Sequence, residues 1–196
     1  MNNTLLIFIR NPQLGKVKTR LARTIGDGEA LRIYDILLEK TRKAALGCEA
    51  DRFLFYSDFV DNQDHWSPDF FQKKIQHFGD LGERMEAAFE NAFESGAHKA
   101  IIIGSDCPEL KGELLQQAFD LLDASDFVLG PVPDGGYYLL GMKILESSLF
   151  YDIEWSTETV RAKTIEKILS AGKTFALLPV LTDVDTEADW RALGLK

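Results

Sequence analysis

Sulfur and imidazole are scarce in this 196-residue chain, and their scarcity removes several kinds of chemistry at once. The two cysteines, Cys48 and Cys107, cannot form a disulfide framework, and nothing pairs them at metal-ligand spacing. The three histidines, His65, His77 and His98, show no spacing that a zinc site or a triad needs, so structural roles are expected of them. Long apolar runs are missing, so no membrane span is predicted, and Met1 to Thr4 lacks the basic start of a secretory leader. Basic residues are in deficit, 22 against 31 acidic, and the net charge of -9 argues against nucleic acid as a partner. Neither G-x-x-x-x-G-K-[ST] nor G-x-G-x-x-G occurs, which excludes a P-loop and counts against a dinucleotide fold. Proline and glycine are too scattered to make a linker, and no repeat is present. The expectation is one cytoplasmic domain over residues 1–196, long enough to bury a continuous core.

What is present is an alternation of short apolar runs with helical stripes. Thr4 to Ile9, Arg52 to Ser57, Ala100 to Ile103, Phe127 to Leu129 and Tyr137 to Met142 read as strands, and Thr174 to Val180 as extended. Ala30, Tyr34, Leu37 and Leu38 share one helical face, as do Leu81, Met85, Ala88 and Phe89, whose helix Gly96 stops. Leu114 to Leu122, Thr157 to Ala171 and Glu187 to Leu193 are predicted helical as well. Strands alternating with helices imply an α/β sandwich with a mostly parallel sheet covered on both faces. The short connection from Pro131 to Gly136 sets one strand antiparallel in this reading, which makes the sheet mixed.

Open α/β sheets bind ligands beyond the carboxyl ends of their strands, and four such segments carry unusual chemistry. Arg10 to Arg23 holds five Lys/Arg and no acid; Gly15 permits a tight turn, and Lys18 and Arg20 suit phosphate oxygens. Gly104-Ser105-Asp106-Cys107-Pro108 presents a carboxylate either to a divalent cation or as a helix cap. Cys107 is read there as a packed residue rather than a nucleophile. Asp134-Gly135-Gly136-Tyr137-Tyr138 is a hairpin signal that also lets a backbone approach a ligand, with Asp134 accepting from hydroxyls and one tyrosine free to stack. Asp183 and Asp185 share one side of the backbone, and either complete a cation site with Asp106 or cap the last helix. Elsewhere, Asp80 and Glu83 are expected to form a capping box, and Ser156 or Thr157 to cap a helix next to a buried Trp155.

Five stretches together resemble the bacterial family DUF2064 of the nucleotide-diphospho-sugar transferase superfamily. They are Pro12 to Leu21, Gly79 to Met85, Gly104 to Pro108, Asp134 to Gly141, and Asp183 to Thr186. The resemblance implies a GT-A type three-layer α/β/α sandwich related to molybdopterin guanylyltransferase and phospholactate guanylyltransferase. It implies Lys18 and Arg20 on the nucleotide phosphates, with Arg10, Gly15 and Thr19 in the same loop, and Gly82 and Arg84 by the base or ribose. It places Asp106 on Mg²⁺ or Mn²⁺ with Asp183 or Asp185 nearby, and Asp134, Gly135, Gly136 and Tyr137 by a small-molecule acceptor. One departure is that the nucleotidyltransferase relatives carry paired glycines in the first loop, where this chain has only Gly15.

The function expected is a metal-dependent transferase using a nucleotide-activated donor, a nucleoside diphosphate sugar, with Lys18, Arg20, Asp106 and Asp134 as the catalytic set. One alternative is nucleotidyl transfer from a nucleoside triphosphate with release of pyrophosphate. Another, from a different class, is a nucleotide-binding module without turnover.

Overall fold

Leu5, Leu6 and Ile7 are wholly buried on both faces of a central strand, β1 (Asn3–Ile9), as its uninterrupted apolar run requires. The computed structural model describes residues 2–194; Met1, part of the stretch read above for a leader, lies outside them. The other strands are β2 (Asp51–Tyr56), β3 (Gln72–Ile75), β4 (Lys99–Ile103), β5 (Phe127–Pro131), β6 (Tyr137–Met142) and β7 (Phe175–Leu177). They form one sheet in the order β3-β2-β1-β4-β6-β5-β7. Strand β6 runs antiparallel to both its neighbours, β4 and β5, and the remaining pairs are parallel. The short turn after β5 is the cause, because it is too short for a crossover helix.

Among the described residues six α-helices flank the sheet: α1 (Thr19–Ile25), α2 (Asp27–Leu46), α3 (Leu81–Glu94), α4 (Gly112–Ala124), α5 (Val160–Ser170) and α6 (Glu187–Ala192). Alternation along β1 sends Leu5, Ile7 and Ile9 toward Tyr34 and Leu38 of α2 and Leu115 and Phe119 of α4. Leu6 faces the opposite way, toward Met85 and Phe89 of α3 and Ile168 of α5. The result is the three-layer α/β/α sandwich with a mixed, mostly parallel sheet. Among the described residues no helix is long and apolar enough to cross a membrane.

Two local expectations are corrected. Strand β3 escapes the sequence reading because Gln72-Lys73-Lys74-Ile75 has no apolar alternation; it is an edge strand, where lysines discourage further pairing. Helix α5 begins at Val160, not at Ser156 or Thr157. Ser156 has φ 64, and the Thr157 hydroxyl donates to the Glu154 carbonyl, so both belong to the turn before the helix. The capping box of α3 forms as predicted, with the Glu83 N–H donating to Asp80 at 2.9 Å and the Asp80 N–H to Glu83 at 2.7 Å.

Because β1, β4, β5 and β7 run the same way, the segments after them leave from one edge of the sheet. A third, smaller core closes that edge: Leu21 of α1, Ala30, Ile33 and Leu37 of α2, Val184, and Trp190 of α6.

Candidate functional site

The edge brings the two oppositely charged segments together. The Lys18 ammonium lies 2.5 Å from the Asp106 carboxylate and 3.6 Å from Asp185, and Arg20 pairs with Asp185 at 3.0 Å. The side chain of Lys18 is only 6% exposed, against 48% for Asp106 and 39% for Asp185. Its aim depends on an uncommon backbone conformation: Lys18 sits at φ 47, ψ 45, left-handed, just ahead of α1. Buried Val17 and Leu21 anchor the chain on either side of it. Gly15, at φ 74, turns the loop beneath, where the Lys16 N–H donates to the Gln13 carbonyl at 3.0 Å.

Packing likewise aims the acidic arm. Val184 is fully buried in the third core, so Asp183 and Asp185 on either side of it face away from that core. The Val184 N–H donates to the Asp106 carbonyl at 3.0 Å, which ties the last acidic segment to the one after β4. Capping is not the task of these carboxylates. Thr186 caps α6 in a box with Asp189, and α4 starts only at Gly112, too far along for Asp106 to cap it.

A cleft of about 100 Å³ opens beside this cluster, bordered by Asp106, Cys107, Val132, Tyr138 and Asp183. The Asp183 carboxyl is pushed up to about 6, chiefly by burial, then by Asp134, with Asp185 and Asp106 adding to it. Burial, reinforced by Asp183 and Asp106, pushes the Cys107 thiol far above its ordinary range, in keeping with a packed residue. Among the described residues no three His, Cys, Asp or Glu side chains gather closely enough to hold a metal ion as they stand.

The turn after β5 has structural duties of its own. Asp134 is exposed and accepts from the Gly136 N–H at 2.9 Å. Gly135 has φ 92, and a Cβ there would stand 2.0 Å from the Glu158 carbonyl oxygen; its own carbonyl accepts from the Arg161 N–H. Neither tyrosine ring is free to stack. Tyr138 is buried with its hydroxyl donating to the Pro179 carbonyl, while Tyr137 packs into the core on the α3 side.

The remaining residues singled out in the sequence stand around this centre. Thr19 opens α1 and is exposed, and Arg10 is exposed with its backbone N–H donating to the Tyr34 hydroxyl at 2.8 Å. Arg84 donates to the Gly79 carbonyl at 2.8 Å and reaches Gln76, which in turn donates to the Ile9 carbonyl at the end of β1. Gly82 is buried under Phe150 and Trp155, leaving no room for a Cβ. Sequence reasoning missed Tyr34 as a site residue, because it falls on the apolar stripe of α2. Its hydroxyl nevertheless bridges the Arg10 backbone and Ser105, at 2.8 and 3.3 Å, and so joins the loops bearing Lys18 and Asp106.

Comparison with known proteins agrees with this architecture. The family DUF2064, described as "Uncharacterized protein conserved in bacteria", matches residues 40–157. A search of the curated proteins gives no match. Among solved structures, one described as a "putative nucleotide-diphospho-sugar transferase" from Desulfovibrio desulfuricans G20 is 32% identical. It aligns over 98% of this chain and 87% of its own, with a TM-score of 0.91. Rv0371c from Mycobacterium tuberculosis H37Rv, in complex with manganese, is 14% identical over 98% of both chains, with a TM-score of 0.59. A CMP:2-keto-3-deoxy-manno-octonic acid synthetase complexed with CTP is 10% identical over 98% of this chain and 97% of its own, with a TM-score of 0.58. The last two likenesses are of fold. On the family match and the 32% identical relative, the chain belongs to the DUF2064 family of the nucleotide-diphospho-sugar transferase superfamily.

Proposed function

We propose that the protein is a transferase that draws on a nucleotide-activated donor, a nucleoside diphosphate sugar, and passes the sugar to a small-molecule acceptor. One observation carries this reading: Lys18, from the loop after β1, meets Asp106, from the segment after β4, and Asp185, from the segment between β7 and α6, at one sheet edge. A diphosphate needs cationic donors, and its counterion needs oxygen ligands; both inventories are in reach of each other here. The 32% identical relative supports the donor class by its description, and the fold relatives holding manganese and CTP are compatible with it.

The donor set also suits Mg²⁺ or Mn²⁺. Asp106, Asp183 and Asp185 are hard oxygen ligands of the kind such ions take. Those three residues would hold the ion, which when bound would neutralise the diphosphate and ease departure of the leaving group. Lys18 and Arg20 donate to the phosphate oxygens and stabilise the charge that develops there. Arg10, Gly15 and Thr19 line the phosphate side of the loop and Arg84 the base and ribose side, while buried Gly82 only lets Phe150 and Trp155 close over the start of α3. Gly135, Gly136 and Tyr137 border the acceptor, whose hydroxyl Asp134 orients and whose proton it accepts. The acceptor oxygen bonds to the sugar carbon, the bond from that carbon to the diphosphate breaks, and a nucleoside diphosphate leaves.

A thermal-shift panel of nucleotides and nucleotide sugars, each with and without Mn²⁺, tests the reading. A ligand at about one hundred times its dissociation constant adds roughly 2.7 kcal/mol of stability. Turnover releasing a nucleoside diphosphate supports sugar transfer, and pyrophosphate release would replace it with nucleotidyl transfer. Nucleotide held equally well without the divalent ion, and without turnover, would mark a binding module.

A further inference from the structure

We propose that Lys18 is the resident cation of the carboxylate cluster, so that a divalent ion enters only with a phosphate-bearing ligand that draws Lys18 away from Asp106. The inference rests on the function proposed above and concerns the order in which that site fills. The Lys18 side chain is the deepest of the three, 6% exposed, while the side chains of Asp106 and Asp185 are 48% and 39% exposed. An ion arriving from solvent therefore meets carboxylates whose inner side is already covered by a positive charge at 2.5 and 3.6 Å.

The lysine is held there by the backbone. Its left-handed conformation is uncommon for a side-chain-bearing residue, and buried Val17 and Leu21 fix the chain on both sides. Arg20 cannot take its place: it is 67% exposed and, among the described residues, pairs with Asp185 rather than Asp106. Phosphate oxygens change the balance, because they offer Lys18 new anionic partners while adding ligands for the ion. Metal and donor are thus coupled: each lowers the cost of admitting the other.

Mn²⁺ titration of the metal-free protein without nucleotide, followed by the electron paramagnetic resonance of free Mn²⁺, tests this. Lys18→Met keeps the stem and removes the charge, and should bind Mn²⁺ at least about tenfold more tightly than the parent. Lys18→Arg keeps the charge and should stay as weak as the parent. If Lys18→Met does not fold, Lys18→Gln carries the same expectation. Equal Mn²⁺ affinity in parent and charge-free variant, or weaker binding in the variant, overturns the proposal. Failure of the underlying function looks different: the parent then shows no thermal shift with any nucleotide plus Mn²⁺.

Discussion

The backbone N–H of Val184 donates to the carbonyl of Asp106 at 3.0 Å, while the Val184 side chain is fully buried among Leu21, Ala30 and Trp190. One apolar residue thus holds the two segments that carry Asp106, Asp183 and Asp185, and does so from the core that also anchors α1 behind Lys18. Val184→Ala should cost about 2 kcal/mol in urea unfolding, from lost burial and the space left behind. It should also weaken any nucleotide shift more than an equally destabilising change in α5. A loss below about 0.5 kcal/mol, the range of ordinary surface changes, would show that Val184 does not hold this segment.

Lys18→Ala and Asp106→Ala should each abolish the thermal shift given by nucleotide plus Mn²⁺ while the protein stays folded by circular dichroism. Asp106 borders the cleft, and the Lys18 ammonium pairs directly with its carboxylate rather than packing in the apolar core. Retention of the full shift in both variants would mean that nucleotide binds elsewhere.

Tyr34→Phe removes the hydroxyl that accepts from the Arg10 N–H and contacts Ser105. The ring stays packed, but a backbone donor loses its partner, so a cost of about 1–3 kcal/mol is expected. Denaturant midpoints with an unchanged slope would report it; an unchanged midpoint would mean that water replaces the hydroxyl at no cost.

Gly135→Ala should lose at least about 2 kcal/mol, since the φ of 92 is strained for alanine and the new Cβ would collide with the Glu158 carbonyl. Gly28→Ala is the control. It lies in the first turn of α2 with nothing near its Cβ position, and should be neutral or gain up to about 1 kcal/mol. Equal effects at the two glycines would contradict the packing described for the turn after β5.

Asp183 binds its proton more tightly in the folded protein, at about 6, than at its ordinary 3.8. Between these values the native state holds the extra proton, so this group makes stability fall as pH rises, with the full penalty in place above about 6. Asp183→Asn removes the charge. In metal-free buffer its advantage over the parent in urea midpoint should be largest near neutral pH and shrink steadily toward pH 4. An advantage independent of pH would assign the effect to packing instead.

The sequence by itself determined the layers and the identity of the charged segments. Apolar runs such as Thr4 to Ile9 and stripes such as Leu81 to Phe89 depend on local periodicity, which burial on two faces or one face imposes directly. The capping box of Asp80 and Glu83 is equally local and equally legible. Strand β3 was not, because an edge strand with Lys73 and Lys74 needs no buried face of its own. Nor was the start of α5, since Ser156 resembles a cap but takes a turn conformation.

Only the tertiary structure decided what the charges and side chains around the cleft do. That Asp183 and Asp185 are not caps follows from Thr186 and Asp189 filling that role, and that neither tyrosine stacks follows from both rings being packed. The burial of Lys18 against Asp106 depends on its left-handed backbone and on contacts among α1, α2 and α6, elements far apart in the chain. Residue spacing carries helical and strand periodicity, but whether two distant charges share a cleft is set by how the helices close over the sheet edge.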